Sequence, residues 1–191
     1  MITSVQRSKG DGTNTNDEYG TPGGLVRVIK DVIYDEFPVG SPILEPCCGK
    51  GSIVRELEGM KYAVISNDYS YGGYDYLAQK DILDKYVVTN PPFCLWDYFV
   101  NKAKTHARKI LFIGRINYMG TCGRYKKGVW NNLKHVYVFN RYPDYRTPTR
   151  ADGKFYSGML FTGWFLWDME FIGSTEISVV DVSDYVIRRS V

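Results

Sequence analysis

The sequence predicts an α/β fold: one domain built on a doubly wound sheet of about seven strands, with helices on both faces. Three observations predict it. An apolar run at 42–44 ends in a glycine-bearing turn and is followed by a helical pattern from Ser52. A second run, Tyr62-Ala63-Val64-Ile65-Ser66, ends in Asn67-Asp68. A third, Val87-Val88-Thr89, stops abruptly at Asn90-Pro91-Pro92-Phe93. β-Branched apolar runs bounded by turn residues read as buried strands.

Residues 1–15 are polar and glycine-containing and are expected to form a mobile arm, with the domain proper spanning 16–191. Asn16-Asp17-Glu18-Tyr19-Gly20-Thr21-Pro22 then precedes an amphipathic stretch with Leu25, Val26, Ile29, Val32 and Ile33 at helical spacing. Thr21 and Pro22 read as N-cap and first helical residue. In Glu45-Pro46-Cys47-Cys48-Gly49-Lys50-Gly51 the two glycines let the backbone turn tightly and approach a ligand closely. The helix that follows points its N-terminal amides at that ligand. An acidic residue after the second strand is where doubly wound folds hold ribose hydroxyls, which makes Asp68 the candidate. The two prolines after Asn90 fix the backbone and remove two N–H donors. They leave a rigid lip of carbonyl oxygens, an Asn amide and the Phe93 ring, suited to accepting hydrogen bonds from a planar amino group. Farther on, 110–113, 135–139 and 161–167 read as core strands.

Asn-Pro-Pro-Phe resembles the catalytic motif of amino-group methyltransferases that use S-adenosylmethionine, the adenine-specific DNA methyltransferases among them. The order of Thr21-Pro22, glycine turn, Asp68 and lip resembles the same class, most of all its short phage and restriction–modification forms. The resemblance implies a Rossmann-like methyltransferase sheet and S-adenosylmethionine as cofactor. It assigns cofactor contacts to Tyr19, Thr21, Pro22, Glu45, Pro46, Cys47, Gly49, Gly51, Asp68 and Asp81. It gives catalysis to Asn90, Pro91, Pro92 and Phe93, with direct transfer to a flipped-out adenine in DNA. The chain departs from the class in lacking a separate target-recognition domain and in carrying Lys50 within the glycine turn. RNA adenine or a protein glutamine amide is an alternative target, and an inactive nucleic-acid-binding member is a second alternative.

A chain of 191 residues can bury a full core, and no apolar run approaches a membrane span. Cys47, Cys48, Cys94 and Cys122 do not form a disulfide framework, and no signal peptide is visible at the start. The expectation is a cytoplasmic protein with reduced thiols, in the host cytoplasm if phage-encoded, as a monomer or homodimer. His106 and His135 have no metal-ligand partner at the right spacing, so no metal is expected. Net charge is only +3, yet its distribution is uneven. Between Asp97 and Asp144 there is no acidic residue and there are ten basic ones, leaving 14 basic against 21 acidic residues elsewhere. A long acid-free basic stretch is the footprint of a polyanion. It contains two loop-like segments, 115–127 and 140–150, that interleave tyrosines with cations. Arg115, Arg124, Lys126, Lys127, Arg141, Arg146 and Arg150 are the expected contacts to DNA, with RNA not excluded.

Overall fold

The computed structural model describes residues 20–146 and 150–187. Seven strands form one sheet: β1 (Ile43–Glu45), β2 (Val64–Ser66), β3 (Tyr86–Thr89), β4 (Lys109–Arg115), β5 (Leu133–Phe139), β6 (Thr162–Asp168) and β7 (Glu176–Val180). Their order across the sheet is β2-β1-β3-β4-β6-β5-β7. Strand β6 runs antiparallel to both β4 and β5, and every other pairing is parallel. The carboxyl ends of β1 to β5 and of β7 therefore share one rim. The predicted doubly wound α/β sheet is the observed one.

Among the described residues, five α-helices accompany the sheet: α1 (Gly24–Arg27), α2 (Lys30–Glu36), α3 (Ser52–Gly59), α4 (Trp96–Ala103) and α5 (Cys122–Lys126). Strand β2 lies on one side of β1, whereas β4 lies on the other side of β3. Right-handed crossovers must then place α3 and α4 on opposite faces. The contacts agree. Trp164 on β6 donates its indole N–H to the Leu25 carbonyl of α1 at 2.7 Å, and Arg27 of α1 forms a two-pronged ion pair with Glu56 of α3. On the other face Trp96 of α4 packs among Trp130, Phe165 and Trp167, with ring centroids 5.4–5.8 Å apart, and donates to the Ile113 carbonyl at 2.8 Å. Gly114 makes that packing possible, because a Cβ there would stand 2.7 Å from the Trp96 ring.

The amphipathic stretch after Pro22 differs from its prediction. It forms two short helices, with Ile29 between them leaving the helical region at φ −112° and ψ 18°. Leu25, Val26, Ile29 and Ile33 are buried as the pattern predicts, while Val32 is half-buried against the core. The predicted N-cap is not observed. The first helix begins at Gly24 behind Gly23, with no side-chain cap. Thr21 is buried and spends its hydroxyl elsewhere, as described below.

Folding also redistributes the basic middle of the chain. Arg108 pairs with Glu170, Arg124 with Asp97, and Lys134 with Glu36, while Lys109 reaches both Glu36 and Asp168. Lys104 donates to the carbonyls of Gly128, Val129 and Asn131, and burial lowers its ammonium to about 8. Burial alone would raise the Glu36 carboxyl, but hydrogen bonds from Lys109 and Lys134 outweigh it and hold the group below the ordinary range. A depressed carboxyl stabilises the fold above its unfolded value of about 4.3, and that contribution is lost as pH falls through the lower folded value. Glu36→Gln should therefore destabilise the protein at pH 7 and have a diminishing effect below about pH 4, as read by urea titration across that range.

Among the described residues, no helix is long and apolar enough to cross a membrane, and no group of three or more His, Cys, Asp or Glu could hold a metal ion.

Candidate active site

The lip and the glycine turn lie side by side on the rim. Strands β1 and β3 are neighbours, so Glu45 and Thr89 end together, and the Thr89 hydroxyl donates to Glu45 Oε1 at 2.8 Å. Gly49 and Gly51 both adopt left-handed backbone, at φ +50° and +73°. A Cβ at Gly49 would meet nothing within 4 Å, so the turn faces open space. After it, α3 starts at Ser52, as its pattern predicts.

Asp68 stands beyond the end of β2 with both carboxylate oxygens engaged by backbone. The Gly49 N–H donates to Oδ2 at 2.9 Å and the Ser70 N–H to Oδ1 at 2.8 Å. An ionised carboxylate offers about four acceptor sites. Two remain on the half-buried Asp68, one per oxygen, which is the arrangement a pair of vicinal hydroxyls requires. Asp81 is different: it is exposed in the irregular segment before β3.

Thr21 joins the two halves of the site. Its carbonyl accepts from Ser52 at the start of α3, and its hydroxyl accepts from Asn90 Nδ2 at 3.1 Å. This contact, made across 69 residues, carries no local signal; only the spatial closeness of turn and lip exposes it. Asn90 Oδ1 is buried and, among the described residues, has no hydrogen-bond partner. A buried acceptor left unsatisfied costs about 1–3 kcal/mol, which selects for a ligand donor at that point.

Pro91 is buried, and the Pro92 carbonyl closes the short 3-10 turn Phe93–Leu95 by accepting from the Leu95 N–H at 2.9 Å. Phe93 is not the open stacking face that its sequence position suggests. The Arg115 guanidinium lies over the ring at 5.1 Å, and Tyr145 meets it edge-on at 5.9 Å. Arg115 comes from the end of β4, and its Nε is buried without a partner among the described residues. Tyr145 is held by its hydroxyl contact with Thr162 at 2.8 Å.

Glu45 is buried, and its Oε2 has no partner among the described residues. Burial pushes its carboxyl well above the ordinary range, opposed by the Thr89 hydrogen bond and reinforced by Asp68. Burial, Glu45 and Asp68 likewise raise the Cys47 thiol, and the Cys48 thiol rises to about 11. Neither cysteine is a nucleophile at neutral pH. A raised carboxyl binds a proton in the folded state that the unfolded chain releases near pH 4.3, so its contribution to stability declines as pH rises through that window. Glu45→Gln keeps an acceptor for Thr89 and removes the titrating group. The expected result is a ligand-free variant more stable than wild type at pH 7 and matched to it near pH 4, by thermal melting at both values.

The other predicted residues spread along the same rim. Lys126 and Lys127 are exposed at the end of α5, and Arg141 is exposed after β5. Arg124 stacks on Tyr118 at 4.0 Å while pairing with Asp97. Arg146 and Arg150 pair with Asp144 and Asp152. Of segment 115–127, 116–120 is a 3-10 helix and 122–126 is α5. Tyr19, the arm at 1–15 and residues 147–149 lie outside the described residues.

No protein-family model matches the chain, and no curated protein matches it. Solved structures do. A protein of Listeria monocytogenes assigned to the class I S-adenosylmethionine-dependent methyltransferases superposes with a TM-score of 0.59 at 13% identity, over 89% of this chain and 68% of its own. The methyltransferase subunit of a type I restriction–modification system from Streptococcus thermophilus gives 0.60 at 10% identity, over 91% of this chain. This chain spans about half the length of that subunit, 49%. A dimethyladenosine transferase of Plasmodium falciparum gives 0.51 at 13%, over 78% of this chain and 62% of its own. The chain has the fold of these methyltransferases: a Rossmann-like α/β sheet whose loops gather on one rim.

Proposed function

We propose that the protein transfers a methyl group from S-adenosylmethionine to the exocyclic amine of adenine in DNA. The observation that carries this reading is the Asn90 Oδ1 on a proline-stiffened lip, buried and without a hydrogen-bond partner among the described residues, and tied through Thr21 to an open glycine turn. The likeness in fold to a restriction–modification methyltransferase subunit and a dimethyladenosine transferase supports it.

When bound, S-adenosylmethionine supplies an electrophilic methyl group on a sulfonium. Asp68 would hold the ribose hydroxyls with its two remaining acceptor sites, and the Gly49–Gly51 turn would receive the methionine end. The chain's own residues then act on the amine. The adenine amino lone pair is delocalised into the ring, so the nitrogen is a weak nucleophile. Asn90 Oδ1 and the Pro91 carbonyl accept its two N–H groups and draw the lone pair back onto nitrogen. A C–N bond forms as the S–C bond breaks, and the nitrogen releases one proton to water. No side chain attacks, and the rate gain is positioning and hydrogen bonding.

For the base to stack on Phe93, Arg115 must give up its place on the ring. A cation–π contact of this kind is worth about 0.5–2 kcal/mol and a stacked base about 1–3 kcal/mol, so the two nearly balance and the hydrogen bonds at the lip tip the exchange toward the base. The released guanidinium is then free for a phosphate.

Two assays test the reading. Calorimetry should show S-adenosylmethionine binding that Asp68→Ala weakens by about 1.5–3 kcal/mol, the worth of hydrogen bonds to a charged acceptor. Labelled methyl groups should enter adenine-containing DNA in preference to RNA of the same sequence or a glutamine peptide. Transfer to either competitor instead, or cofactor affinity indifferent to Asp68→Ala, contradicts the assignment.

A further inference from the structure

A second feature of the rim is built for a ring. A cleft of about 430 Å³ opens beside the carboxyl end of β5, lined by Val138, Arg141, Tyr142, Ser157, Phe161 and Val179 among others. None of its lining residues belongs to the lip or the glycine turn. Its volume falls in the range of small-ligand sites. Two of its walls are aromatic and exposed: Tyr142 by 49% and Phe161 by 43%. Their rings meet edge-to-face at 71° with centroids 5.5 Å apart, an arrangement in which each ring keeps at least one face not covered by the other. A guanidinium, Arg141, stands at the mouth, donating to its neighbour's carbonyl, Asn140 O. The nearby Asp181 carboxylate accepts from Asn140 Nδ2 and the Ser183 N–H through one oxygen, Oδ1, and lies within electrostatic reach of Arg141, which a phosphate would have to share with it.

The cleft is held, not floppy. Segment 142–144 pairs with 156–158 through the Pro143–Ser157 bridge, the Gly158 N–H to the Tyr142 carbonyl at 2.6 Å, and the Asp144 N–H to the Tyr156 carbonyl at 3.0 Å. Gly158 permits this approach, since a Cβ there would stand 2.5 Å from the Pro143 carbonyl. The same ribbon leads back to the active site, because Tyr145 on it touches Phe93. Three residues of chain span at most about 10–11 Å. That is about three nucleotides at the ~3.4 Å rise of one strand.

We propose that this cleft binds an unpaired base of the substrate strand, one to three nucleotides from the target, against Tyr142 and Phe161 with the adjoining phosphate at Arg141. The proposal rests on a nucleic-acid substrate, as argued above, and gives the described residues a second base contact. Stacking tolerates any base, so the cleft fixes register and favours opened strands over perfect duplex.

The test is fluorescence anisotropy with a labelled 12-nucleotide single-stranded DNA and the RNA of the same sequence, alongside calorimetry with S-adenosylmethionine. Tyr142→Ala and Phe161→Ala should each weaken strand binding by roughly 5- to 150-fold, the stacking worth of one base. Tyr142→Phe should restore it, and Ser157→Trp, which fills the cleft and removes no ring, should block it. All should bind S-adenosylmethionine as wild type does. The tighter of the two strands identifies the sugar. Unchanged strand binding in Tyr142→Ala, Phe161→Ala and Ser157→Trp overturns the proposal. So does a wild type that binds S-adenosylmethionine and neither strand, a result that leaves the methyl-transfer reading standing. Strand binding that follows the cleft variants in a protein that transfers no methyl group supports the cleft and overturns the other reading.

Discussion

Asn90→Ala should lower methyl transfer at least a hundredfold while leaving S-adenosylmethionine affinity nearly unchanged. The variant removes the one side-chain oxygen that is buried on the lip and open to a donor. Loss of one preorganised acceptor or donor at a reacting centre costs about 10²–10³ in rate. Its effect on the cofactor should be small, because among the described residues Asn90 reaches the turn through the Thr21 hydroxyl, while Thr21 keeps its carbonyl bond to Ser52. Asn90→Asp is the sharper variant. It retains the shape but places a charge beside the Thr21 hydroxyl, and should bind cofactor with transfer impaired to a lesser degree than in Asn90→Ala. Single-turnover rates with a labelled methyl donor separate the two. Equal rates in wild type and Asn90→Ala would remove the lip from the chemistry.

The largest effect on stability should come from Trp96→Ala, at about 3–5 kcal/mol. Trp96 is fully buried between α4 and the sheet, and it touches Tyr118, Trp130, Phe165 and Trp167. Truncation empties the space that Gly114 was kept small to admit, and it leaves the Ile113 carbonyl without its indole donor. A domain of this size holds only about 5–15 kcal/mol in all, so the variant should unfold at a markedly lower urea concentration. Trp96→Phe should recover part of the loss by refilling most of the volume. A urea midpoint for Trp96→Ala within error of wild type would show that this cluster does not anchor α4.

What the sequence made legible was the part encoded locally. Strands ending in turn residues are visible as apolar runs, and β1 to β6 fall where those runs are, the edge strand β2 included. The glycine turn and the start of α3 are likewise local. Strand β7 escaped notice because it is an edge strand with four of its five residues exposed, so it has no buried face to imprint a pattern. Thr21 was misread because a Thr-Pro pair looks like a helix start. Its hydroxyl in fact serves Asn90, a contact that no window of sequence contains.

The basic middle shows the same limit for charge. The stretch carries no acid of its own, yet Glu36, Asp168 and Glu170 fold onto it from either side in sequence and pair with Lys109, Lys134 and Arg108. Much of the apparent cationic footprint is therefore internal scaffolding. Lys126, Lys127 and Arg141 are the exposed remainder of that stretch on the rim side of β4 and β5. Phe93 was legible as a lip residue but not as a covered one, since Arg115 arrives from the end of β4 and Tyr145 from the segment after β5.

The central claim is methyl transfer to the adenine amine at Asn90. Mass spectrometry of nucleosides, digested from DNA incubated with the protein and S-adenosylmethionine, tests it most directly. The account predicts N6-methyldeoxyadenosine from the wild type and at least about a hundredfold less from Asn90→Ala in the same incubation. A methyl group on cytosine or on a ring nitrogen of adenine, or undiminished N6-methyldeoxyadenosine from Asn90→Ala, would contradict it.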